Sequence, residues 1–379
     1  MESRSPIRVM QVIARMNVGG PAVLVADLMR NFDPALVNAV LVTGYCDENE
    51  ADYLDQVARD VHAVRLPGLG RSISIIKDLN AFFLLIREIR RFDPDLIHTH
   101  TSKAGVLGRL AGLVAAPQAK RVHTFHGHLL HGYFGKSKTR IVVIVEKFLA
   151  KKTDKLITIG NQVKIDLLKM GVGFESKFEM IFPGLQPFAI EPKLEARKKL
   201  GLNHETTYLA FIGRITQIKR PDRLIEVARG LKNNQVNAHI LIAGEGELFL
   251  KTKNIAEAEE LPMTFLGWRN DIQLILSASN IAILCSDNEG IPLTLIQAAQ
   301  AGLPIVSTNV GSISDIVING KTGLLTELSA SALLDAITRL LADPSLCGKF
   351  GKAGQDRANK YFTSEAMVNH HERLYSQLV

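Results

Sequence analysis

Two cations and a carboxylate in the second half of the chain could together bind a diphosphate and a sugar. Arg214 and Lys219 flank a turn after one apolar segment, and Glu289 lies in a polar turn after another. If both turns lie at the ligand edge of one parallel sheet, the cations can bind one diphosphate. The carboxylate can then accept hydrogen bonds from hydroxyl groups. These residues therefore predict a site for a ligand that carries both groups.

The segment around Glu289 indicates how that site would be built. Residues 281–285 are apolar and predict a buried parallel strand, residues 286–290 predict a loop, and Pro292 suits the first position of a helix that ends before Gly302. The first N–H groups of such a helix have no partner inside it and can bind phosphate. An ordinary βα loop with an acidic turn would have the same pattern, so the rest of the chain has to decide.

This segment resembles the donor-site signature of retaining glycosyltransferases of family 4, which have the GT-B fold. The resemblance rests on Glu289-Gly290-Ile291-Pro292 and on the later run AGLPIVSTNVGSISDIVINGKTGLL. It implies that Glu289 holds donor-sugar hydroxyls. Where the family has a second Glu that holds the nucleotide ribose, this chain has Gln297, a neutral amide that accepts weaker hydrogen bonds. The donor-binding residues expected here are Gly290, Ile291, Leu293, Thr294 and Gln297.

Arg214 and Lys219 resemble the family's phosphate-binding pair at the same spacing. The resemblance implies that they stabilise the departing nucleoside diphosphate in place of a metal, so no metal and no cofactor beyond the nucleotide-sugar cosubstrate is expected. Gly213, Glu245 and the run Gly267-Trp268-Arg269 also follow predicted strands and are expected to contact the donor. Trp268 could pack against the base or be a surface aromatic.

The first half of the chain contributes a glycine turn and a set of histidines. Gly19 and Gly20 follow the first predicted strand, where a ligand could approach the backbone closely, although a simple turn would look the same. By the resemblance, His126 lies at the donor sugar. On the acceptor side it implies three residues, His98, His100 and Lys103. A zinc cluster among these histidines is the less favoured alternative, because no Cys or clear carboxylate ligand lies nearby.

Length and composition bound the class of protein. The chain has 379 residues, 46% of them hydrophobic, and a mean hydropathy of +0.10, which is enough for two cores. Its three cysteines are far apart and contain no CxxC pair, which favours a reducing cytoplasm. No leader peptide and no apolar run of membrane-spanning length is evident. A soluble or peripheral cytoplasmic protein is expected.

The net charge of +7 is concentrated in one part of the chain. Residues 98–160 contain eleven Lys or Arg and two acids, which favours partners that carry phosphate. Within it, an apolar and basic loop is expected to touch an anionic membrane at the inner face of the cell membrane. Its residues are Leu129, Leu130, Tyr133, Phe134, Lys136, Lys138 and Arg140. Residues 141–149 read instead as a plain core helix.

Alternating strand and helix patterns predict two doubly wound parallel-sheet domains. The predicted strands of the first half are 7–13, 36–42, 61–65, 95–99, 121–125, 155–159 and 179–182, with helices at 22–30 and 73–91 among others. Those of the second half are 208–212, 239–243, 263–266, 281–285 and 304–307. A hinge at 185–192 gives two Rossmann-like domains, 1–185 on the acceptor side and 186–360 on the donor side. By the resemblance, the helix 361–379 crosses back to the first domain and the two domains face each other across a cleft.

The resulting prediction is a retaining, metal-independent glycosyltransferase. It would move a hexose or N-acetylhexosamine from a UDP-sugar to a lipid-linked or growing glycan acceptor in polysaccharide biosynthesis. A GT-B nucleotide-sugar epimerase and a non-catalytic basic binding protein are the alternatives. Nucleic acid is not expected, because the basic segment lacks interleaved aromatics. The turn after the first strand also lacks the GxGxxG spacing of a dinucleotide-binding oxidoreductase.

Overall fold

The computed structural model describes residues 5–48, 50–127 and 136–379, and for residues 136–139 it describes the backbone alone. The described chain forms two compact units. The first comprises Met1–Leu185 and Ser364–Val379, and the second comprises Gln186–Thr363.

A seven-stranded parallel sheet forms the centre of the first unit. Its strands are β1 (Ile7–Ile13), β2 (Val37–Thr43), β3 (Ala63–Arg65), β4 (Leu96–His100), β5 (Lys120–Phe125), β6 (Lys155–Thr158) and β7 (Phe178–Met180), in the order β3-β2-β1-β4-β5-β6-β7. The helices between them are α1 (Gly20–Asn31), α2 (Tyr53–Gln56), α3 (Ile75–Phe92), α4 (Ser102–Ala115), α5 (Lys136–Lys151) and α6 (Asn161–Lys169). The strand order reverses between β1 and β4, and in such sheets ligands bind beyond the carboxyl ends of the strands at that point.

Three glycines let α4 pack unusually close to the sheet. A Cβ at Gly105 would lie 2.5 Å from Cε1 of His123, and one at Gly108 would lie 2.8 Å from Cγ2 of Thr99. At Gly112 the same atom would approach Cδ1 of Ile97 to 2.8 Å. These glycines recur at one-turn spacing, so a continuous side of the helix lies on the strand surface.

The second unit repeats the architecture with six strands. Its elements are α7 (Lys193–Lys199), β8 (Thr207–Ile212), α8 (Pro221–Asn233), β9 (Ala238–Ala243), α9 (Phe249–Ala258), β10 (Met263–Gly267), α10 (Ile272–Ala278), β11 (Ile281–Leu284), α11 (Leu293–Gln300), β12 (Ile305–Thr308), α12 (Ile313–Ile316), β13 (Gly323–Thr326), α13 (Ala330–Ala342) and α14 (Pro344–Tyr361). The sheet order β10-β9-β8-β11-β12-β13 reverses between β8 and β11. The strand β13 was missing from the sequence prediction.

The last helix, α15 (Ser364–Leu378), returns to the first unit, where it packs against α1. Ser364 N donates to Leu185 O at 3.1 Å, and Asp33 N donates to Glu372 Oε1 at 2.6 Å. The helix begins three residues later than predicted, because α14 continues to Tyr361. The GT-B prediction of two Rossmann-like parallel-sheet domains with a returning helix is confirmed.

Two local predictions were wrong. Pro292 is the N-cap of α11 rather than its first residue, because its ψ of 117° is extended. Residues 141–149 do not form a plain core helix: Ile141, Ile144 and Phe148 are exposed on α5.

The predicted membrane loop falls mostly outside the described residues. Leu129, Leu130, Tyr133 and Phe134 lie there, Lys136 and Lys138 are described in their backbone alone, and Arg140 is exposed on α5. In the described part of the chain, no helix combines the length and apolar character that crossing a bilayer requires.

Candidate active site

Two loops of the second unit meet where its strand order reverses. Residues 213–220 follow β8, and residues 285–290 follow the neighbouring β11. Asp287 N donates to Ile218 O at 2.9 Å, and the buried Cys285 thiol lies 3.2 Å from Lys219 O. Burial raises the pKa of Cys285 to about 12, so this thiol remains protonated and serves as a donor. The two loops are thus fastened together at the ligand edge of the sheet.

An ion pair joins the tips of these two loops. Nζ of Lys219 lies 2.5 Å from Oε1 of Glu289, and the side chains are 17% and 11% exposed. Oγ of Ser286 donates to the same oxygen at 2.6 Å. Both of these bonds are made to Oε1, and a carboxylate has a second oxygen, Oε2, that can accept from a ligand hydroxyl. The lysine also balances the carboxylate charge, which would otherwise repel a phosphate bound beside it.

Arg214 stands at the start of the same turn with an exposed side chain. Across the residues that the structure describes, its guanidinium makes no hydrogen bond or ion pair, so this group is available to an anion. Gly213 before it leaves space: a Cβ there would lie 3.8 Å from Cε of Lys219. The turn therefore has two cations that can bind an anion: Arg214, which has no ion-pair partner in the described part of the chain, and Lys219, which is paired with Glu289.

The loops after β9 and β10 are attached to this turn. Ile215 N donates to Glu245 O at 3.0 Å, and Gly244 N donates to Gly267 O at 2.7 Å. The side chain of Trp268 is half-exposed, and its backbone N–H donates to Oε1 of Glu245 at 3.4 Å. These loops thus lie side by side at one edge, as a nucleotide site requires.

Arg269 differs from Arg214 in having a committed side chain. Its Nε donates to Oδ1 of Asp271 at 2.7 Å. The guanidinium holds the pKa of the Asp271 carboxyl below its usual value. Arg269 is therefore placed in the expected loop, but its charge is neutralised locally.

The start of α11 supplies further donors. Pro292, its N-cap, makes no side-chain capping bond. The N–H groups of Leu293 and Thr294 fall in the first turn, where an α-helix offers no internal acceptor. Ile291 is buried, and Gln297 is partly buried one turn further along. Gly290 is fixed beside them, because its carbonyl accepts from Ser312 N at 3.3 Å.

In the first unit, the glycine turn leads into α1. Gly19 is the N-cap of α1 and Gly20 its first residue. Gly19 has extended backbone, with φ at 176°, and a Cβ there would come no closer than 3.8 Å to another atom. Nothing in the described fold fills that space, so a ligand can approach this turn.

Of the four histidines between residues 98 and 126, His98, His100 and His123 are buried and His126 is partly buried. Three of the four belong to one hydrogen-bond network. Nδ1 of His100 lies 2.9 Å from Nε2 of His126, and Nε2 of His100 lies 2.8 Å from Oε1 of Gln11. Nε2 of Gln11 donates to the hydroxyl of Tyr375 at 3.0 Å, which lies 2.6 Å from Nδ1 of His98. The strand pairing of β1, β4 and β5 creates this alignment. The fourth histidine, on β5, bonds Oγ1 of Thr99 through its Nδ1 at 2.8 Å.

The network defines the tautomer of His126. Oε1 of Gln11 is an acceptor, so His100 carries its proton on Nε2 and accepts at Nδ1 from Nε2–H of His126. Nδ1 of His126 is then a lone pair. That atom is buried, and no hydrogen-bond partner for it occurs in the described part of the chain. Burial lowers the pKa of His126 to about 3, so the ring is neutral and can accept a hydrogen bond.

Two predicted acceptor-side residues are committed inside the protein. His98 is fully buried, and its Nε2 lies 2.7 Å from Oγ1 of Thr124. Nζ of Lys103 donates to Gly68 O at 2.8 Å and to Ser72 O at 2.6 Å, and it pairs with Asp78. Their surroundings favour positioning roles over direct contact with an acceptor.

Ser286, Gln11 and Tyr375 were missed from sequence. Gln11 carried a usable signal, since it is the one polar side chain in the middle of the apolar strand β1. Tyr375 carried none, because 364 positions separate it from Gln11. Among the described side chains, no group of three or more His, Cys, Asp or Glu could hold a metal ion.

Comparison with known proteins places both units in described families. The model of Glycosyltransferase Family 4 matches residues 18–187, and that of Glycosyl transferases group 1 matches residues 192–357. The chain is 32% identical to a UDP-Gal:alpha-D-GlcNAc-diphosphoundecaprenol alpha-1,3-galactosyltransferase of Escherichia coli, over 78% of each chain. It is 27% identical to the putative glycosyltransferase EpsD of Bacillus subtilis, over 79% of this chain and 81% of that protein.

A solved structure has the same fold. Anabaena Alr3699/HepE in complex with UDP and glucose superposes with a TM-score of 0.81 at 17% identity, over 98% of this chain and 99% of that chain.

Proposed function

Because the chain belongs to the glycosyltransferases of family 4, we propose that it is a retaining transferase that moves a hexose-type sugar from a UDP-sugar to a lipid-linked or growing glycan. The main observation in support of this proposal is the ion pair of Lys219 and Glu289, whose Nζ and Oε1 atoms are 2.5 Å apart. Arg214 lies in the same loop as Lys219, and α11 begins shortly after Glu289. Cations, backbone N–H groups and one carboxylate acceptor are what a nucleoside-diphosphate sugar needs.

In the proposed mechanism the charge of the leaving group is stabilised by the second unit. Arg214, Lys219 and the first N–H groups of α11 bind the diphosphate as the bond between the anomeric carbon and its oxygen breaks. The acceptor hydroxyl forms the new bond on the same face of the sugar, and its proton passes to the departing phosphate oxygen. No protein nucleophile takes part, and the cations take the place of a metal.

Two acceptors are proposed for hydroxyls of the sugar, Glu289 in the second unit and, by the family resemblance, His126 in the first. Oε2 of Glu289 accepts from sugar hydroxyls, with its partner oxygen fixed by Lys219 and Ser286. Nδ1 of His126 is a neutral acceptor for another hydroxyl. Gln297 would accept from the ribose.

Relatives support the choice of donor and acceptor classes. HepE of Anabaena binds UDP-glucose, and the Escherichia coli relative transfers galactose to a sugar on diphosphoundecaprenol. We extend a UDP-sugar donor and a polyprenyl-linked acceptor to this chain. An acceptor of that kind would place the protein at the inner face of the cell membrane.

Substitution of the ion pair tests the proposal. We expect Lys219→Ala to lower kcat for transfer about 100- to 1,000-fold, because a donor aimed at developing charge is lost. Glu289→Gln should chiefly lower the affinity for the intact donor while leaving UDP binding in place. The matched control is Lys199→Ala, which breaks an exposed ion pair with Glu191 in the same unit.

Thermal shift with nucleotide sugars measures binding separately. A ligand at about 100 times its Kd adds roughly 2.7 kcal/mol of stability, and Lys219→Ala should reduce that gain. Unchanged turnover in Lys219→Ala would contradict the proposal. Epimerised UDP-sugar formed without acceptor would identify a nucleotide-sugar epimerase instead, and RNA binding without nucleotide-sugar binding would identify a non-catalytic basic protein.

A further inference from the structure

We propose that the first unit docks on an anionic membrane through the outer sides of α3 and α5. This surface, the α3–α5 face, consists of the exposed apolar residues Ile73, Ile75, Ile76, Leu79, Phe83, Ile141, Ile144 and Phe148 together with the cations between them. It lies outside the candidate active site, so the proposal goes beyond the transferase function and can be tested independently of it.

The first part of the face is the start of α3. Ile76 is 82% exposed and Phe83 is 63% exposed, and the isoleucines before them are exposed to a similar degree. Leu79 lies between them at one-turn spacing, so the apolar residues form a stripe along the helix. Water-facing helices in globular proteins normally present polar residues at such positions, and a contiguous apolar stripe marks an interaction site.

The second part is α5, where three apolar residues repeat the pattern. Ile141, Ile144 and Phe148 are spaced by three and four residues, and each is more than half exposed. The buried side of the same helix carries Leu149 and Ala150, which belong to the core. The helix is therefore apolar on two sides, and only one of them is covered by the protein.

The two stripes lie on the same side of the seven-stranded sheet. α4 packs against α3 and also against α5, so the three helices form one layer over the strands. Right-handed crossovers place consecutive helices of this kind on one face. Val114, exposed on the intervening α4, adds an apolar residue to that layer.

The charges of the face select an anionic partner. Neither helix exposes an acid: Asp78 is paired with Lys103, and Glu88 and Glu146 are buried. Exposed cations are interspersed with the apolar residues, namely Arg71, Lys77, Arg87, Arg90, Arg91, Arg140, Lys147, Lys151 and Lys152. Apolar side chains that enter the acyl boundary, beside cations that meet lipid phosphates, are the pattern of a helix that lies in a membrane interface.

Lys103 gives the face a defined shape. Its ammonium bonds to the carbonyls of Gly68 and Ser72 and pairs with Asp78. It therefore ties the segment before α3 to the first turn of that helix, and Ile73, Ile75 and Ile76 are presented together. Only Arg140 is shared between this face and the membrane loop predicted from sequence.

Vesicle binding tests the proposal with the full chain. We expect cosedimentation with vesicles that contain phosphatidylglycerol, weaker binding to pure phosphatidylcholine, and release by salt. Ile76→Gln with Ile144→Gln should reduce binding at least tenfold, because two apolar contacts with the acyl region are lost. Lys147→Gln with Lys152→Gln should weaken binding to the anionic vesicles about 25-fold, at about fivefold per cation.

The matched control is Leu250→Gln with Leu194→Gln, two leucines that are 71% and 61% exposed on the second unit. This variant should bind vesicles as the parent protein does. All variants should keep the thermal stability of the parent, because the substituted side chains are exposed. Equal vesicle binding by the face variant and its control would overturn the proposal. So would a dimer in solution that the Ile76 and Ile144 substitutions dissociate while vesicle binding is absent.

Discussion

A hydroxyl on the last helix determines which nitrogen of His126 carries the proton. Tyr375 accepts from Nε2 of Gln11 and donates to Nδ1 of His98. The amide of Gln11 is thereby oriented with its oxygen toward His100, and the proton of His126 stays on Nε2. Tyr375 and Gln11 are thus positioning residues for the acceptor nitrogen of His126.

Removal of that hydroxyl should reverse the network. In Tyr375→Phe the amide of Gln11 can rotate to donate to His100, which then donates to His126, so that the proton of His126 moves to Nδ1. We expect ¹⁵N NMR of the imidazoles to report this change of tautomer. The free energy of unfolding should fall by about 1–3 kcal/mol, because buried polar groups lose partners.

Two variants distinguish this effect from general damage. Tyr53→Phe removes a hydroxyl elsewhere in the first unit and should leave the imidazole spectrum unchanged. Gln11→Glu keeps an acceptor toward His100 and should retain the Nε2–H tautomer of His126. A Tyr375→Phe protein with the parent tautomer would refute the positioning role.

At the residue scale, the cations and the carboxylate of the candidate site could be predicted from sequence, whereas their tertiary partners could not. Arg214, Lys219 and Glu289 were identifiable because each follows an apolar strand segment by a few residues. The ion pair between two of them depends on β8 and β11 being neighbours, which no local pattern encodes. The partners that His98 and Lys103 have in the fold are likewise not evident from sequence, and their assignment to the acceptor side stays a prediction.

Two glycine turns at the ends of strands should respond differently to substitution. Gly244 has φ at +134°, and a Cβ there would lie 2.1 Å from Gly213 O. Gly244→Ala should therefore destabilise the second unit by about 2–3 kcal/mol, because strain and a backbone clash act together. Gly19→Ala meets no such obstacle and should retain the parent melting temperature.

The same two variants also test whether a ligand occupies the space beside Gly19. If a ligand fills it, Gly19→Ala should raise KM for donor or acceptor at least several-fold with the fold intact. Calorimetry and steady-state kinetics on both variants measure the two effects separately. A Gly19→Ala protein with unchanged kinetics would mean that the turn is only a connection between β1 and α1.

At the scale of elements, the pattern of apolar residues predicted the positions of most strands, but it did not predict which sides of the helices are exposed. Buried parallel strands such as β1 and β8 are continuous apolar runs, so their positions were predicted within a residue or two. β13 was missed because its four residues follow a turn without a long apolar run. The apolar residues of α5 suggested a core helix, since sequence cannot distinguish a side covered by the protein from one left exposed.

At the scale of the whole chain, the buried histidines are concentrated in one unit. His98, His100, His123 and His371 are buried and His126 is partly buried, and all five belong to the first unit. The last helix, α15, contributes His371. The second unit has only His204 and His239. Protonation of histidines in the unfolded chain should therefore lower the stability of the first unit more than that of the second.

Mild acid should destabilise the first unit selectively. Burial lowers the pKa of His126 to about 3 and that of His371 to about 4, and it holds the pKa values of His98, His100 and His123 well below 6.5. Because the unfolded chain binds these protons near pH 6.5 and the folded unit does not, stability is complete above that pH. It should fall as the pH drops toward 4, by about 1.4 kcal/mol per pH unit for each histidine.

Hydrogen exchange at pH 7.5 and 5.5, corrected for the intrinsic exchange rate, should show this difference. Protection of β4 and β5 should fall much more than protection of β8 and β9. This interval lies above the titration of the paired carboxylates, so the histidines dominate it. His371→Gln should make the loss in the first unit shallower, whereas the same change at the exposed His62 should not. An equal loss of protection in both units would show that the buried histidines do not control acid stability.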